Sequence, residues 1–138
     1  MLRSLGLALN MAGLLLAVTA CGGSGPAPDG AEETAVSFYA ALENGDYARA
    51  CAMLAPATLE GVQQSENGGD QACADGLRAV SLQDPGEPLS AQAFGRNAQV
   101  EFGSETVFLT LSSSNWKVMA AGCTARGDRP YSCRVEGD

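Results

Sequence analysis

The chain has no histidine, and its 8 Lys and Arg side chains face 16 Asp and Glu. Without His the commonest general base is gone. The Ser-His-Asp and Cys-His nucleophile pairs and every His-based metal site go with it. A net charge of −8 excludes a general nucleic-acid binder, because phosphate contact needs clustered Lys and Arg. Aromatic residues are 6% and charged residues 17%, yet apolar residues reach 46%, so the chain is not a disordered acidic one. At 138 residues it is long enough for one domain and short for two. Few of its apolar residues are large. The core is therefore modest, and covalent staples are useful to it. Five Cys in so short a chain point to an oxidising compartment.

The N-terminus reads as an address. Arg3 is the only charged side chain before Asp29, and Leu5 to Ala20 is an apolar run broken by Asn10. A bilayer span needs about 20 residues, so this shorter run fits a signal-peptide apolar region, and a single Arg favours general secretion over the twin-Arg route. The run ends Val18-Thr19-Ala20-Cys21 and is followed by Gly and Pro. It resembles a bacterial lipobox, in which the Cys thiol receives diacylglycerol and cleavage leaves Cys21 first. On this reading residues 1–20 are a lipoprotein signal peptide. Residues 21–30 are a flexible Gly/Pro tether carrying the lipidated Cys21, and 31–138 are the folded domain. The expected place is the extracytoplasmic face of the cell membrane, held by the anchor. The acidic domain should stand off anionic headgroups.

Beyond the tether, helices come first. Asp29 and Glu32 have capping-box spacing, and Ala35, Phe38, Tyr39 and Leu42 form an amphipathic stripe ended by Asn44-Gly45. Asp46 caps a second helix carrying Tyr47, Ala50, Cys51 and Leu54. Pro56 stops it or opens a short third helix to about Gln63. Residues 65–69 are a loop, and Asp70 caps a helix with Cys73, Leu77 and Val80 on one face. After Asp84-Pro85-Gly86 the period changes to two. Leu89, Ala91 and Ala93 alternate with polar neighbours, and so do Ala98, Val100 and Phe102. Val107, Leu109 and Leu111 follow, then Trp116, Val118 and Ala120. Tyr131 to Val135 is a further edge strand. Three or four helices before four or five antiparallel strands give an α+β fold, with the helices covering one face of a curved sheet.

This order resembles the NTF2-like (SnoaL/ketosteroid-isomerase-like) cone fold. Ala40 to Asp46, Ala50 to Leu54, Thr106 to Leu109, Trp116 to Cys123 and Pro130 to Cys133 are similar to a group of uncharacterised lipoproteins of high-GC Gram-positive bacteria. The resemblance covers about residues 31–136. It implies a fold and an address, and no established activity.

With Cys21 lipidated, four Cys remain, which allow three pairings. Cys51 and Cys73 lie on the apolar stripes of neighbouring helices. Cys123 and Cys133 flank a Gly- and Pro-containing loop that can turn back on itself. Disulfides Cys51–Cys73 and Cys123–Cys133 are expected, each contributing about 3 kcal/mol through loop closure. A Cys₄ zinc site needs knuckles of two to four intervening residues, and spacings of 22, 50 and 10 do not supply them. Thiol redox chemistry would need C-x-x-C or an activating neighbour. No metal and no cofactor is expected.

Catalytic candidates are thin. Tyr39, Asp46, Tyr47, Arg49 and Asp75 are the polar groups within reach of a cone, but Asp46 reads as an N-cap and the tyrosines lie on core stripes. No catalytic residue is assigned. Phe38, Tyr39, Phe102, Leu109 and Trp116 either line an apolar pocket at the mouth of the cone or fill the core. The expectation is a lipid-anchored, non-enzymatic binding or scaffold module of the bacterial envelope. Its partners would be the membrane and a small apolar ligand or an envelope protein, not nucleic acid. The alternative is a small cone-fold isomerase, dehydratase or hydrolase acting on an apolar molecule. A carboxylate opening into a closed cavity would favour that alternative.

Overall fold

The structure, a computed structural model, describes residues 27–64 and 69–137. The apolar N-terminal run and Cys21 lie outside them. The described chain is α+β, with four helices packed on a curved antiparallel sheet.

Helix α1 spans Pro28–Glu43. Pro28 stands at its first position, where the missing N–H is no loss. The N-cap is Ala27 and makes no side-chain cap bond. Asp29 is therefore not the cap that its spacing with Glu32 predicts. It lies inside the first turn, where its charge suits the helix dipole. The helix thus begins within the stretch read as a tether. Its buried face is Ala31, Ala35, Phe38, Tyr39 and Ala41, and it ends at Asn44 before Gly45 turns with φ +70°.

Helix α2 (Tyr47–Ala52) starts at Asp46, whose carboxylate accepts from the Arg49 N–H at 3.1 Å. Helix α3 (Pro56–Gln63) opens on Pro56, the second of the two readings that its sequence allows. Helix α4 (Cys73–Val80) follows Ala72, not Asp70. Asp70 instead bridges Gln64, outside the helix. The α3–α4 contact is close: a Cβ on Gly76 would lie 2.2 Å from the Val62 carbonyl oxygen. Only Gly permits that approach.

The sheet is a meander of β1 (Pro88–Phe94), β2 (Asn97–Phe102), β3 (Thr106–Ser112) and β4 (Asn115–Arg126). Its inner face presents Ala98, Val100, Phe102, Val107, Leu109, Val118 and Ala121 to the helices, all buried. Leu89 breaks the expected alternation. A register shift between Pro88 and Ser90 leaves Leu89 without a place on the inner face, and it is 72% exposed. Long β4 carries two further irregularities against β3, so Ala120 turns outward opposite Phe108 while Ala121 enters the core.

The expected last strand divides in two. β5 (Arg129–Ser132) forms a hairpin with the end of β4, and β6 (Val135–Glu136) pairs with Ala120 and Ala121. Residues 53–55 occupy the same edge of β4 nearer its start: Val118 N–H donates to the Met53 carbonyl and Ala55 N–H to the Val118 carbonyl, both at 2.8 Å.

Disulfides join Cys51 to Cys73 and Cys123 to Cys133. The first ties α2 to α4 beside the core. The second closes the β4–β5 hairpin. No described helix is long and apolar enough to cross a membrane.

Candidate functional site

The inside of the curved sheet is filled. Phe38 and Leu109 are fully buried, so neither can line an open pocket. Tyr39 stacks edge-on between Phe38 and Phe102, with ring centroids 5.5 Å and 5.8 Å away. Trp116 lies apart from these three. Its indole packs on the first turns of α1, 3.1 Å from where a Cβ on Gly30 would stand. Nine residues of helix, about 13 Å, separate Gly30 from Tyr39. Of the five expected pocket residues, the structure brings Phe38, Tyr39 and Phe102 into one aromatic row. It sets Leu109 in the core behind them and leaves Trp116 at the opposite end.

The other polar candidates have local tasks. Asp46 caps α2. Asp75 pairs with Arg78 at 2.8 Å on the exposed side of α4, and Arg78 covers the Tyr47 ring with its guanidinium 4.5 Å from the centroid. Arg49 gives its backbone N–H to Asp46. Arg126 and Arg129 pair across the exposed β4–β5 turn.

One carboxylate that the sequence does not single out occupies a more unusual place. Glu105 follows the Gly103-Ser104 turn and points inward from the start of β3. Its Oε1 accepts from the Tyr39 hydroxyl and from the Gly122 N–H, the latter at 3.1 Å. Gly122 can aim that N–H because it sits at a bulge with φ +64°. A Cβ there would also strike Leu82, at 2.7 Å from its Cδ2. Burial pushes the Glu105 carboxyl above the usual carboxylate range, while the Gly122 N–H and the nearby Arg134 charge oppose that rise. Arg134 itself donates to the carbonyls of Val80 and Ser81 at the end of α4. A signal for this cluster was present in the isolated Gly122 within an alternating strand, which marks a bulge or a close approach. The partner is not visible by spacing, because Tyr39 is 66 residues away.

Beside Tyr39 lie two smaller clefts of about 270 and 240 Å³. They share Tyr39, Glu43 and Asp84. Glu105 lines neither.

The other face of the sheet holds a wider groove of about 580 Å³. Its walls are Ala55, Pro56 and Ala57 from the start of α3, Met119 and Ala120 from β4, and Gly137 after β6. Thr58, Thr110 and Glu136 supply the polar groups. The Thr58 hydroxyl is already committed, donating to the Met119 carbonyl at 2.8 Å. Next to the groove, Phe108 stands opposite Ala120 and meets Tyr131 edge-on at 5.0 Å. This outward apolar patch is absent from the sequence expectation, which places the pocket on the inner face. The bulges in β4 create it by turning Ala120 out. Among the described residues no three His, Cys, Asp or Glu side chains are grouped to hold a metal ion.

Compared with protein-family models, with curated proteins and with solved structures, the chain matches none.

Proposed function

We propose that the protein is a lipid-anchored, extracytoplasmic binding module of the bacterial cell envelope, non-enzymatic, with an NTF2-like cone as its scaffold. Cys21 is the anchor, and the outer groove is the site for a small apolar ligand. The observation that carries the reading is the contrast between a filled cone interior and an open apolar groove of about 580 Å³. That volume lies in the range of small-molecule sites. Two disulfides in the folded domain support an oxidising location. Helices followed by a curved antiparallel sheet support the cone assignment.

The test uses the full chain and a neutral naphthylamine fluorophore that brightens in apolar sites. Wild type binds it, and Met119→Lys, which places a charge at the groove wall, loses binding while melting at the same temperature. Equal fluorescence from both chains rejects the groove. For the anchor, Cys21→Ser removes incorporation of a labelled fatty acid and releases the domain from the membrane fraction. Labelling that persists in the variant rejects Cys21.

The Tyr39–Glu105 pair favours the enzyme alternative, since a desolvated carboxyl beside a phenol is a familiar acid–base arrangement. Turnover of an apolar small molecule that is lost in Glu105→Gln but kept in Met119→Lys would replace the binding reading.

A further inference from the structure

The two edges of the sheet are treated differently. The far edge of β4 is occupied in sequence by residues 53–55, by β6 and by β5. β5 is itself an edge, but it has four residues, includes Pro130 and begins at Arg129. Short length, proline and charge are the devices that keep an edge from pairing. β1, at the other end of the sheet, pairs with β2 on one side only, and no described segment pairs with its second side. It has seven residues and no charged side chain, and its proline, Pro88, and its register shift are confined to its first residues. Among the described residues β3 is the other uncharged strand, and it lies inside the sheet. From Ser90 to Phe94, β1 pairs one to one with Glu101 to Asn97, so this stretch is regular. Leu89 is 72% exposed and Phe94 58%.

Such an edge offers unpaired backbone N–H and C=O groups, whose complement is another extended strand. The flanking charges select which strand. Glu87 precedes β1 and Arg96 follows it, both exposed. Arg96 is steadied by donating to the Leu111 carbonyl and keeps further donors. In an antiparallel pair the start of one strand lies beside the end of the other. A copy of the same strand then sets Glu87 opposite Gly95, one residue from Arg96 and within reach of its long side chain, at both ends. The neutral segments meet in the middle, which matters for a chain of net charge −8. A twofold perpendicular to the sheet keeps the faces in register. Ala91 meets its counterpart, Ser90 stands opposite Gln92, Leu89 opposite the far chain's Ala93, and Phe94 opposite its Pro88.

We infer that β1 pairs antiparallel with β1 of a second copy, centred on Ala91, so that the sheet continues across two chains with a Glu87–Arg96 ion pair at each end. The contact is isologous and small, so the dimer is reversible and depends on concentration and salt.

Sedimentation of the full chain in detergent solution tests this. Wild type is a monomer–dimer equilibrium. Glu87→Arg and Arg96→Glu each place like charges together and weaken dimerisation about tenfold, or about 1.4 kcal/mol. The combined variant exchanges the two signs and restores the dimer. Phe94→Lys, at an exposed side chain, weakens it as well. Circular dichroism confirms that each variant stays folded. A wild type that is monomeric at all concentrations overturns the inference. So does a dimer indifferent to all four changes, or a double charge exchange no better than its single components.

Discussion

The two faces of the sheet use the same strands for different ends. On the inner face, Val100, Val107, Leu109 and Val118 lose all their exposure beneath α1. On the outer face, Phe108, Thr110, Lys117 and Met119 stay partly exposed; α3's first turn and the β5–β6 segment reach over them, and Lys117 Nζ donates to the Ala52 carbonyl at 2.6 Å. Alternation along a strand assigns one set of side chains to stability and leaves the other available for contact. The irregularities in β4 sharpen the division. They drive Ala121 into the core and bring Ala120 out to the groove. A small domain with few large apolar residues can therefore fill one face completely and still present an apolar surface on the other.

The inner face should break first. Leu109→Ala removes a side chain with no exposure from the middle of the core and should destabilise the fold by about 3 kcal/mol or more. Urea titration of the variant measures this as a fall in midpoint. A loss near zero would mean that the interior tolerates a cavity and is less filled than described.

The staples come next. Replacing Cys51 and Cys73 together by Ser opens a 22-residue separation, and replacing Cys123 and Cys133 opens a 10-residue one. Loop closure gives about 3 kcal/mol for each, with the longer loop ahead by less than about 1 kcal/mol. The two pairs differ in what they hold. The first anchors α4 against α2 beside the core, while the second closes a hairpin that leaves the sheet. Hydrogen exchange should show α2 and α4 opening in the first variant. In the second, opening should be confined to residues 123–136. The same pattern in both would show that the hairpin and the helices unfold as one unit.

A milder loss is expected on the outer face. Phe108→Ala removes a half-exposed ring and its edge contact with Tyr131. The expected destabilisation is about 1 kcal/mol, well below that of Leu109→Ala one residue away. Calorimetry of the two variants side by side gives the ratio between the faces directly. Equal losses would erase the distinction.

Much of this arrangement is readable from local pattern. Pro56 opening α3, Asp46 capping α2, the buried alternation of Ala98, Val100 and Phe102, and the facing of Cys51 and Cys73 all follow from short-range rules. The departures have two kinds of cause: at α1 a competing local signal, Pro28, sets the start, and elsewhere contacts distant in sequence overrode the local pattern. Asp29 and Asp70 have the chemistry of caps, but the helices begin at Pro28 and after Ala72. Leu89 has the right period, but the register shift beside it removes it from the inner face. The expected pocket failed to gather because alternation says which face a residue takes and not how far along α1 it meets the sheet. Trp116 and Phe102 take the same face and meet opposite ends of that helix. The outer groove needed the bulges in β4, of which Gly122 was the only sequence mark.

The smallest effect belongs to Glu105, at the rim where the inner face meets the end of α1. Its carboxyl is held above the usual carboxylate range by burial, against the Gly122 N–H and Arg134. The folded chain therefore binds this proton at pH values where the unfolded chain has released it. Stability from this group is complete below the ordinary carboxylate range and declines as pH rises through the folded value. Glu105→Gln removes the titration but keeps an oxygen that can accept from Tyr39 and Gly122. The other ionisable groups are unchanged, so the difference between wild type and variant isolates Glu105. Urea midpoints across the acidic to neutral range should show wild type losing ground to the variant as pH rises. Parallel curves would mean that the carboxylate is solvated in the folded chain. A variant that gains ground at low pH and loses it at neutral pH would reverse the sign, and the Gly122 and Arg134 contributions would then outweigh burial.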